Sequence, residues 1–511
     1  MSAIFPNVVR RLDTVSLVCF ALAAASLSIF KIVNLDMGFH LRAGELIWET
    51  GRIPTEDVFS YVAEGRRWVD SQWLFQMVTY GANALAGAAG LVSVRALAVG
   101  ALIGALFAAS HRSGSLAITL ALGLLAVFTC LERFILRPDL FTMTLLAVFV
   151  AGSERFEKHP RFWLFALPML QVIWTNSHAL HVLGPLYLGA GLAGRLIDTY
   201  MSRIGIRVAA PAEHARVLRQ RAVMVLLCIL GVLFNANGVD GILYPLELYR
   251  ELRGEVSWFP RLSELVPTLE REIRTVLSPM VFFRVLVVLS ALAMAACWRS
   301  LRLGDLLPYA VFLYLSLEAV RNVPLFVIVA LPIAARCLRE LIDRLPAGRR
   351  PSDSVIAIGT ALSMIAVTGC VVVGTTSGAL YRHLGLYRSF GIGDSRELPS
   401  PEIVSRLRGV EGRILNDPNL GGFLIWRLYP EKQVAVDGRW EVYGELLPGV
   451  RKVFYNRTAF LDFTSRYDVD AVVLRKRSGI ARRMPRIMRS IPDFRLTMET
   501  PKTLLYERVP K

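Results

Sequence analysis

Ile32-Val33-Asn34-Leu35-Asp36-Met37-Gly38-Phe39-His40-Leu41-Arg42 is the stretch whose reading decides the fold of this chain. It closes a long apolar run that starts at Val15 and opens a polar, aromatic-rich segment reaching Trp73. A carboxylate at the edge of an apolar span is costly unless it meets solvent, a metal ion or a reacting group, which makes Asp36 the first candidate functional residue. Arg10 and Arg11 stand before the run, and an excess of Lys and Arg marks the inner side of membrane spans. A first span over about 14–34 therefore delivers Asp36 to the outer face. The run is too long for a signal core and lacks a small-residue cleavage site, so it reads as a retained span.

Outward from this point the rest of the chain agrees. Of 511 residues, 54% are hydrophobic and only 19% charged, with a mean hydropathy of +0.47, a balance that favours an integral membrane protein. Further spans are expected near 91–110, 115–132, 139–153, 162–177, 180–197, 222–236, 276–297, 303–319, 322–341 and 354–375, about eleven in all. His111-Arg112, Glu154 to Arg161, Arg203 to Arg221, Arg299 to Arg302 and Arg336 to Arg350 then fall inside, and Asn237 to Arg274 outside. The fold class expected is a polytopic α-helical membrane protein, multi-pass in the cytoplasmic (inner) membrane. Residues 1–13 form an inner N-terminus, 14–375 the membrane domain with a first outer loop over 35–90, and 376–511 a small outer α/β domain. The net charge of +17 suits this topology and anionic lipid, with no call for nucleic acid.

The first loop reads as an amphipathic helix from Gly38 to Glu49, a turn at Gly51 to Pro54, a polar strand-like piece, and an interfacial helix from Ser71 to Leu85 broken by the small residues Gly87 to Gly90. In the C-terminal part, Arg413 to Asn416, Gln433 to Asp437, Ala471 to Leu474 and Thr503 to Tyr506 read as strands. Helices are expected near Phe423 to Leu428 and Ile480 to Arg489. Six cysteines lie in or beside apolar runs without CxxC or Cys/His spacing, so they read as small apolar fillers. No Walker motif, GxGxxG fingerprint or HExxH occurs, which leaves nucleotide-driven, dinucleotide and zinc-protease chemistry without support.

With this topology every outer junction carries polar residues: Asp36, His40, Arg42, Glu45, Asp57 and Asp70 in the first loop; Arg133, Arg137 and Asp139; Asn176, His178 and His181; Asn235, Asn237 and Asp240; Glu318, Arg321 and Asn322. Polar groups at membrane depth face a cavity or a partner, so one outer-leaflet cavity is the economical reading. Each also has a plainer one. Asp36 could stop a helix, Arg137 could snorkel to headgroups, and Glu318 could bridge Arg321. Trp48, Trp68, Trp73 and Trp174 read as belt anchors, Asp437-Gly438-Arg439 as a turn after a strand, and Asn456-Arg457-Thr458 as a chance match to a glycosylation pattern.

Asp36 at the end of a first span, Ala43-Gly44-Glu45 on a helix, Thr50-Gly51-Arg52-Ile53-Pro54 and a Trp-rich interfacial helix together resemble the C-type glycosyltransferase superfamily, including protein O-mannosyltransferases and the aminoarabinose transferases of lipid A. His178-Ala179-Leu180-His181, Arg137-Pro138-Asp139 and Asp437-Gly438-Arg439 look like features of uncharacterised bacterial relatives. The resemblance implies an inverting transferase that takes a sugar from a polyprenyl phosphate and gives it to a glycan, lipid or protein acceptor. Asp36 matches the catalytic carboxylate; Met37 stands where several members have a second acid. Attack at an anomeric carbon needs a base, for which Asp36 is the candidate, with His40 on the same face at i,i+4. Arg137, Arg321 and Arg42 are the candidates for the lipid phosphate. His178, His181, Asn176, Glu318 and Asp70 would line the cavity or meet the acceptor. The two histidines with Asp36 have the ligand types for a divalent metal, which the spacing permits without requiring. A lipid or sugar transporter or flippase, and a non-catalytic assembly protein of the same fold, are the alternatives. Mid-span charges and repeated halves, the marks of the first, are not evident.

Overall fold

The computed structural model describes residues 4–111, 115–204, 215–253, 264–273, 275–346, 350–395 and 398–509. Much of the basic loop expected inside (205–214) and of the acidic loop expected outside (254–263 and 274) lies outside the described residues. The chain is mostly helical: α1 (Ile4–Ser28), α2 (Met37–Thr50), α3 (Trp73–Ser110), α4 (Leu116–Cys130), α5 (Pro138–Arg155), α6 (Pro160–Thr175), α7 (Leu183–Arg203), α8 (Ala215–Gly231), α9 (Gly238–Arg253), α10 (Pro279–Ala296), α11 (Leu303–Glu318), α12 (Val323–Asp343) and α13 (Asp353–Thr376). Smaller helices follow: α14 (Ala379–His383), α15 (Pro401–Arg408), α16 (Pro418–Leu428), α17 (Trp440–Tyr443), α18 (Leu447–Val453), α19 (Arg457–Arg466) and α20 (Ile480–Arg489). Five stretches are long and apolar enough to cross a membrane by length and composition among the described residues: Trp73–Ser110, Leu116–Arg133, Ala179–Arg203, Pro279–Ala296 and Asp353–Thr376. That is the architecture of a multi-pass membrane protein. The residues group into two compact units, one of Met1–Lys31, Val92–Asn235 and Arg261–Ile392, the other of Ile32–Leu91, Ala236–Pro260 and Gly393–Lys511.

The first unit is a helical bundle built around α12. From Val323 to Ala335 every residue of α12 is buried. A helix apolar on all sides belongs in a core, and α12 packs on α4, α5, α10 and α11. Small residues let other helices approach closely: a Cβ on Gly194 of α7 would lie 2.2 Å from the Leu303 carbonyl oxygen at the start of α11. Trp174 is fully buried here, so it is a core residue and not the belt anchor expected.

The second unit joins the first loop to the C-terminal residues. Strands β1 (Arg413–Asn416), β2 (Val469–Arg475), β3 (Phe494–Glu499) and β4 (Thr503–Arg508) form a sheet in the order β1-β2-β4-β3, with β1 and β2 parallel and the rest antiparallel. The strand expected over Gln433 to Asp437 is only a bridge: Val434 pairs with Ile414 and with Ser60. The Val434 amide donates to the Phe59 carbonyl at 3.0 Å and its own carbonyl accepts from Tyr61 at 3.1 Å. Backbone groups in this interior need partners, and the strand-like piece of the first loop finds them in the C-terminal chain. Residues 35–90, assigned from sequence to the membrane domain, are thus packed with 393–511. Trp68 is buried in this core, again against the expectation of a belt. Asn456 caps α19 by accepting from the Ala459 amide at 2.9 Å.

Asp36 does not end the first helix. Helix α1 stops at Ser28, and the Lys31 amide donates to the Ser389 carbonyl at 2.9 Å within the first unit. In the second unit the Ile32 amide donates to Gly393 at 2.9 Å. Those bonds take backbone groups that a continuing helix would need, so the apolar run ends extended. Asp36 occupies the position just before α2, half-buried. The helix α3 is interrupted at Ala86 and Gly87 (φ 54°), where the small-residue run predicts a break.

Candidate functional site

Asp139 organises the polar end of the first unit. It sits in the first turn of α5 behind Pro138, where a carboxylate meets the exposed amides of a helix N-terminus. Arg321 donates to it at 3.1 Å, Arg133 lies 3.9 Å away, and His178 Nε2 is at 3.4 Å. Glu264 accepts from Arg133 at 2.8 Å, faces Arg137 at 3.7 Å, and its carbonyl accepts from the Arg321 amide at 3.0 Å. Among the described residues three guanidinium groups thus gather about these two carboxylates at the joined ends of α4, α5, α11 and α12. The neighbouring hydroxyl orients the imidazole. Thr142 Oγ1 accepts from Trp174 Nε1 at 2.9 Å and lies 2.8 Å from His178 Nδ1. The arrangement that uses all three groups has Thr142 donate to Nδ1 and leaves the Nε2 proton for Asp139.

Of the residues singled out from sequence, Arg137, Arg321 and His178 meet in this cluster. Arg133, Asp139 and Glu264 complete it: Arg133 and Asp139 stand among the polar residues of that junction, Asp139 also in the Arg137-Pro138-Asp139 phrase, but the sequence assigns neither a role, and Glu264 lies in the loop before Thr268 with no signal of its own. His181 is buried, with Nδ1 3.3 Å from the His178 carbonyl and no hydrogen-bond partner for Nε2 among the described residues. Asn176 donates to the Val172 and Phe234 carbonyls at 2.9 and 2.7 Å, tying the end of α6 to the end of α8. Glu318 is exposed at the end of α11, and the carboxylate paired with Arg321 is Asp139. Among the described residues no group of three or more His, Cys, Asp or Glu side chains is placed to hold a metal ion.

The opposite helix ends of this unit carry a polar group as well, in addition to the outer cluster expected from sequence. Arg336 pairs with Asp305, Asp198 accepts from the Leu303 amide at 2.9 Å, and Arg221 meets Glu157 at 3.4 Å. Loop charge places Glu154, Arg221 and Arg336 inside, but their meeting with Arg195 and Asp305 follows only from how the helices pack.

In the second unit Asp36 lies over a tight turn of the C-terminal chain. Its side chain makes no capping bond to α2, although its own position is the capping one. A Cβ built on Gly438 would stand 2.7 Å from Asp36 Oδ1, one on Gly422 2.9 Å from Asp36 Cα, and one on Gly38 2.1 Å from the Gly422 carbonyl oxygen. Three glycines therefore admit the backbone and carboxylate at this point. In the turn itself, Asp437-Gly438-Arg439, Asp437 and Arg439 are buried, Gly438 is half-buried, and the whole is heavily bonded. Asp437 accepts from Arg439 Nε at 2.9 Å and Nη2 at 2.6 Å and from Tyr443 at 3.0 Å. Arg439 Nη2 also reaches Asp57 at 2.7 Å, and its guanidinium lies 4.5 Å from the Trp68 ring centre and 5.0 Å from that of Phe59. Burial opposes the charge on Arg439, but Asp437 and Asp57 more than offset it and raise its pKa. Burial also pushes Asp57 above the usual carboxylate range, against the pull of Arg439. The segment read from sequence as a turn after a strand is a structural knot of this unit.

His40 is buried between Phe39 and Phe75, with ring centres 4.0 and 5.1 Å away. Arg42 pairs with Glu45, donates to the Trp426 carbonyl at 3.1 Å and lies over the Trp426 ring. Asp70 is buried, accepting from the Gln72 amide at 3.2 Å and from Gln76 at 2.9 Å, and burial pushes its pKa up to about 7. A folded pKa above the unfolded value of about 3.9 means that the folded state holds the proton more tightly. The resulting stability is complete below about pH 4 and is lost as pH rises through about 7, up to about 4 kcal/mol at about 1.4 kcal/mol per unit. Melting followed from pH 4 to pH 8 should therefore fall with pH, and Asp70→Asn should flatten that slope; a mutant with the wild-type slope would assign the dependence elsewhere.

No family model and no curated protein matches this sequence. Solved structures do match its fold. The oligosaccharyltransferase of Archaeoglobus fulgidus in the apo form aligns with a TM-score of 0.59 at 12% identity, over 97% of this chain and 74% of that one. The oligosaccharyltransferase AglB of the same organism, in complex with an inhibitory peptide and a dolichol-phosphate, aligns at 0.56, with the same identity and coverage. ArnT from Cupriavidus metallidurans aligns at 0.49 and 15% identity over 100% of this chain and 99% of that one. These are C-type glycosyltransferases, and at such identities the likeness to the oligosaccharyltransferases is one of fold.

Proposed function

We propose that this chain is an integral membrane glycosyltransferase that moves a sugar from a polyprenyl phosphate to an acceptor on the outer face of the inner membrane. Its N-terminus would lie inside, its C-terminal residues outside, with about eleven spans between them. The observation that carries the reading is the gathering of Arg133, Arg137 and Arg321 around Asp139 and Glu264 in a chain with the fold of the oligosaccharyltransferases. One of those neighbours is held with a dolichol-phosphate. A phosphate monoester leaving with the bond pair needs cations, and arginine meets it with a fork of charged donors.

In the proposed reaction the acceptor hydroxyl oxygen attacks the anomeric carbon, and the carbon–oxygen bond to phosphate breaks from the opposite face. Polyprenyl phosphate departs with the bond pair, and the acceptor proton passes to the Asp36 carboxylate. Arg137 and Arg321, with Arg133 beside them, would hold the phosphate, while Asp139 and Glu264 keep the guanidinium groups in place. His178, oriented by Thr142, offers Asp139 a hydrogen bond without adding charge. Arg42, engaged by Glu45 and Trp426, is left to hold α2 against α16.

The test is release of polyprenyl phosphate by the full chain in lipid nanodiscs from polyprenyl-phosphate glucose, mannose and galactose, with water attacking the anomeric carbon in place of the acceptor and free sugar as the second product. Arg137→Ala should raise the donor KM about 10–100-fold, the equivalent of one hydrogen bond to a charged group at about 1.5–3 kcal/mol. A wild-type protein that neither releases nor binds undecaprenyl phosphate would sink the reading.

A further inference from the structure

We propose that the Asp437-Gly438-Arg439 turn is the positioning element of Asp36: Gly438 leaves the space in which the carboxylate lies, and the Arg439–Asp57 tie fixes the turn against the first loop. The consequence for catalysis rests on the reading of Asp36 as the base; the consequence for the carboxylate's geometry does not.

Space, and not backbone conformation, is what demands glycine at 438. Among the described residues the glycines with positive φ are 51, 65, 87, 238, 378, 385, 391, 393 and 444, and Gly438 is not one of them. A methyl group there would meet Asp36 Oδ1 at 2.7 Å, closer than real side chains approach, and Cγ at a tight 3.3 Å, so the carboxylate would have to rotate away. The peptide cannot yield instead. Asp437 receives the Arg439 amide at 2.8 Å and the Arg439 side chain twice, and the Asp437 amide donates to Tyr443 Oη at 3.0 Å. Arg439 is in turn held by Asp57, whose two oxygens accept from the Phe59 and Ser60 amides at 3.1 Å each. From the other side, Gly422 presses on the backbone at Leu35 and Asp36. A turn so fully bonded is a rigid wall, and rigid support is what a reactive carboxylate needs, since a shift of about 1 Å in a reacting group can cost about 100-fold in rate.

The experiment uses the full chain in nanodiscs. The infrared difference between wild type and Asp36→Asn isolates the Asp36 carboxylate stretch; Gly438→Ala should shift that band, and Gly449→Ala, whose added methyl meets nothing within 4 Å, should not. In donor turnover, Gly438→Ala should lower kcat by about 10–100-fold with the donor KM unchanged. Should Gly438→Ala fail to fold, Asp57→Asn, which leaves Arg439 bonded to Asp437, should shift the same band and lower kcat about 3–10-fold with KM unchanged. An unmoved Asp36 band in the folded variant overturns the proposal. A shifted band together with full turnover in Asp36→Asn would leave the positioning intact and overturn the catalytic reading instead.

Discussion

Asp36→Asn is expected to reduce sugar transfer by about 100–10,000-fold, the range a positioned general base contributes. The substitution keeps the side-chain volume and one carbonyl oxygen, so the close approach of Gly438 and Gly422 remains filled. What it removes is the capacity to take a proton. Loss of turnover with unchanged donor KM would place Asp36 in the chemical step, because an interaction felt only in the transition state lowers kcat and spares ground-state binding. A fall of less than about threefold would assign the proton to another group, since it lies far below that range. Rescue at high pH would not be expected for the asparagine variant, which has no titrating group to recover.

Arg439→Ala is expected to destabilise the second unit by about 3–5 kcal/mol, the cost of leaving buried charges without their partner. Asp437 and Asp57 are both buried, and each looks to this guanidinium for its counter-charge. The loss includes packing, because the guanidinium lies against Trp68, Phe59 and Phe39. Arg439→Lys should recover part of the stability through charge and little of the forked pairing, since one ammonium cannot match the two bonds Arg439 makes to Asp437. Thermal melting of the purified chain reads this directly. Equal melting of wild type and Arg439→Ala would mean that the two aspartates take up protons or other partners at no cost.

Much of the fold was legible because it follows from local pattern. Long apolar runs, their basic flanks and the Gly87–Gly90 break all report periodicity and backbone freedom, which act over a few residues. The helix Ile480–Arg489 and strands β1, β2 and β4 were read for the same reason. Strand β3 was missed: Phe494–Glu499 is half polar and becomes a strand only by pairing with β4. The Gln433–Asp437 piece erred the other way. It has strand propensity, but only Val434 finds bridges.

The site divides along the same line. Asp36, Arg137, His178 and Arg321 could be named from residue type at helix ends, because a charge beside an apolar run is conspicuous in one dimension. That Arg321 pairs with Asp139, that Glu264 joins Arg133 and Arg137, and that a second polar group fills the opposite helix ends depended on which helices adjoin. Asp437-Gly438-Arg439 shows the difference most clearly. As a sequence it is an ordinary turn, and nothing local says that Gly438 faces a carboxylate about 400 positions earlier or that Arg439 seals Asp57 from water. The amino-acid sequence by itself determined the helical membrane class and the candidate residues, since hydropathy and charge are properties of short segments. Only the tertiary structure decided which of those charges share a partner and what holds Asp36 in place. Burial, counter-charge and steric room arise between segments far apart in the chain, and exist only once it has folded.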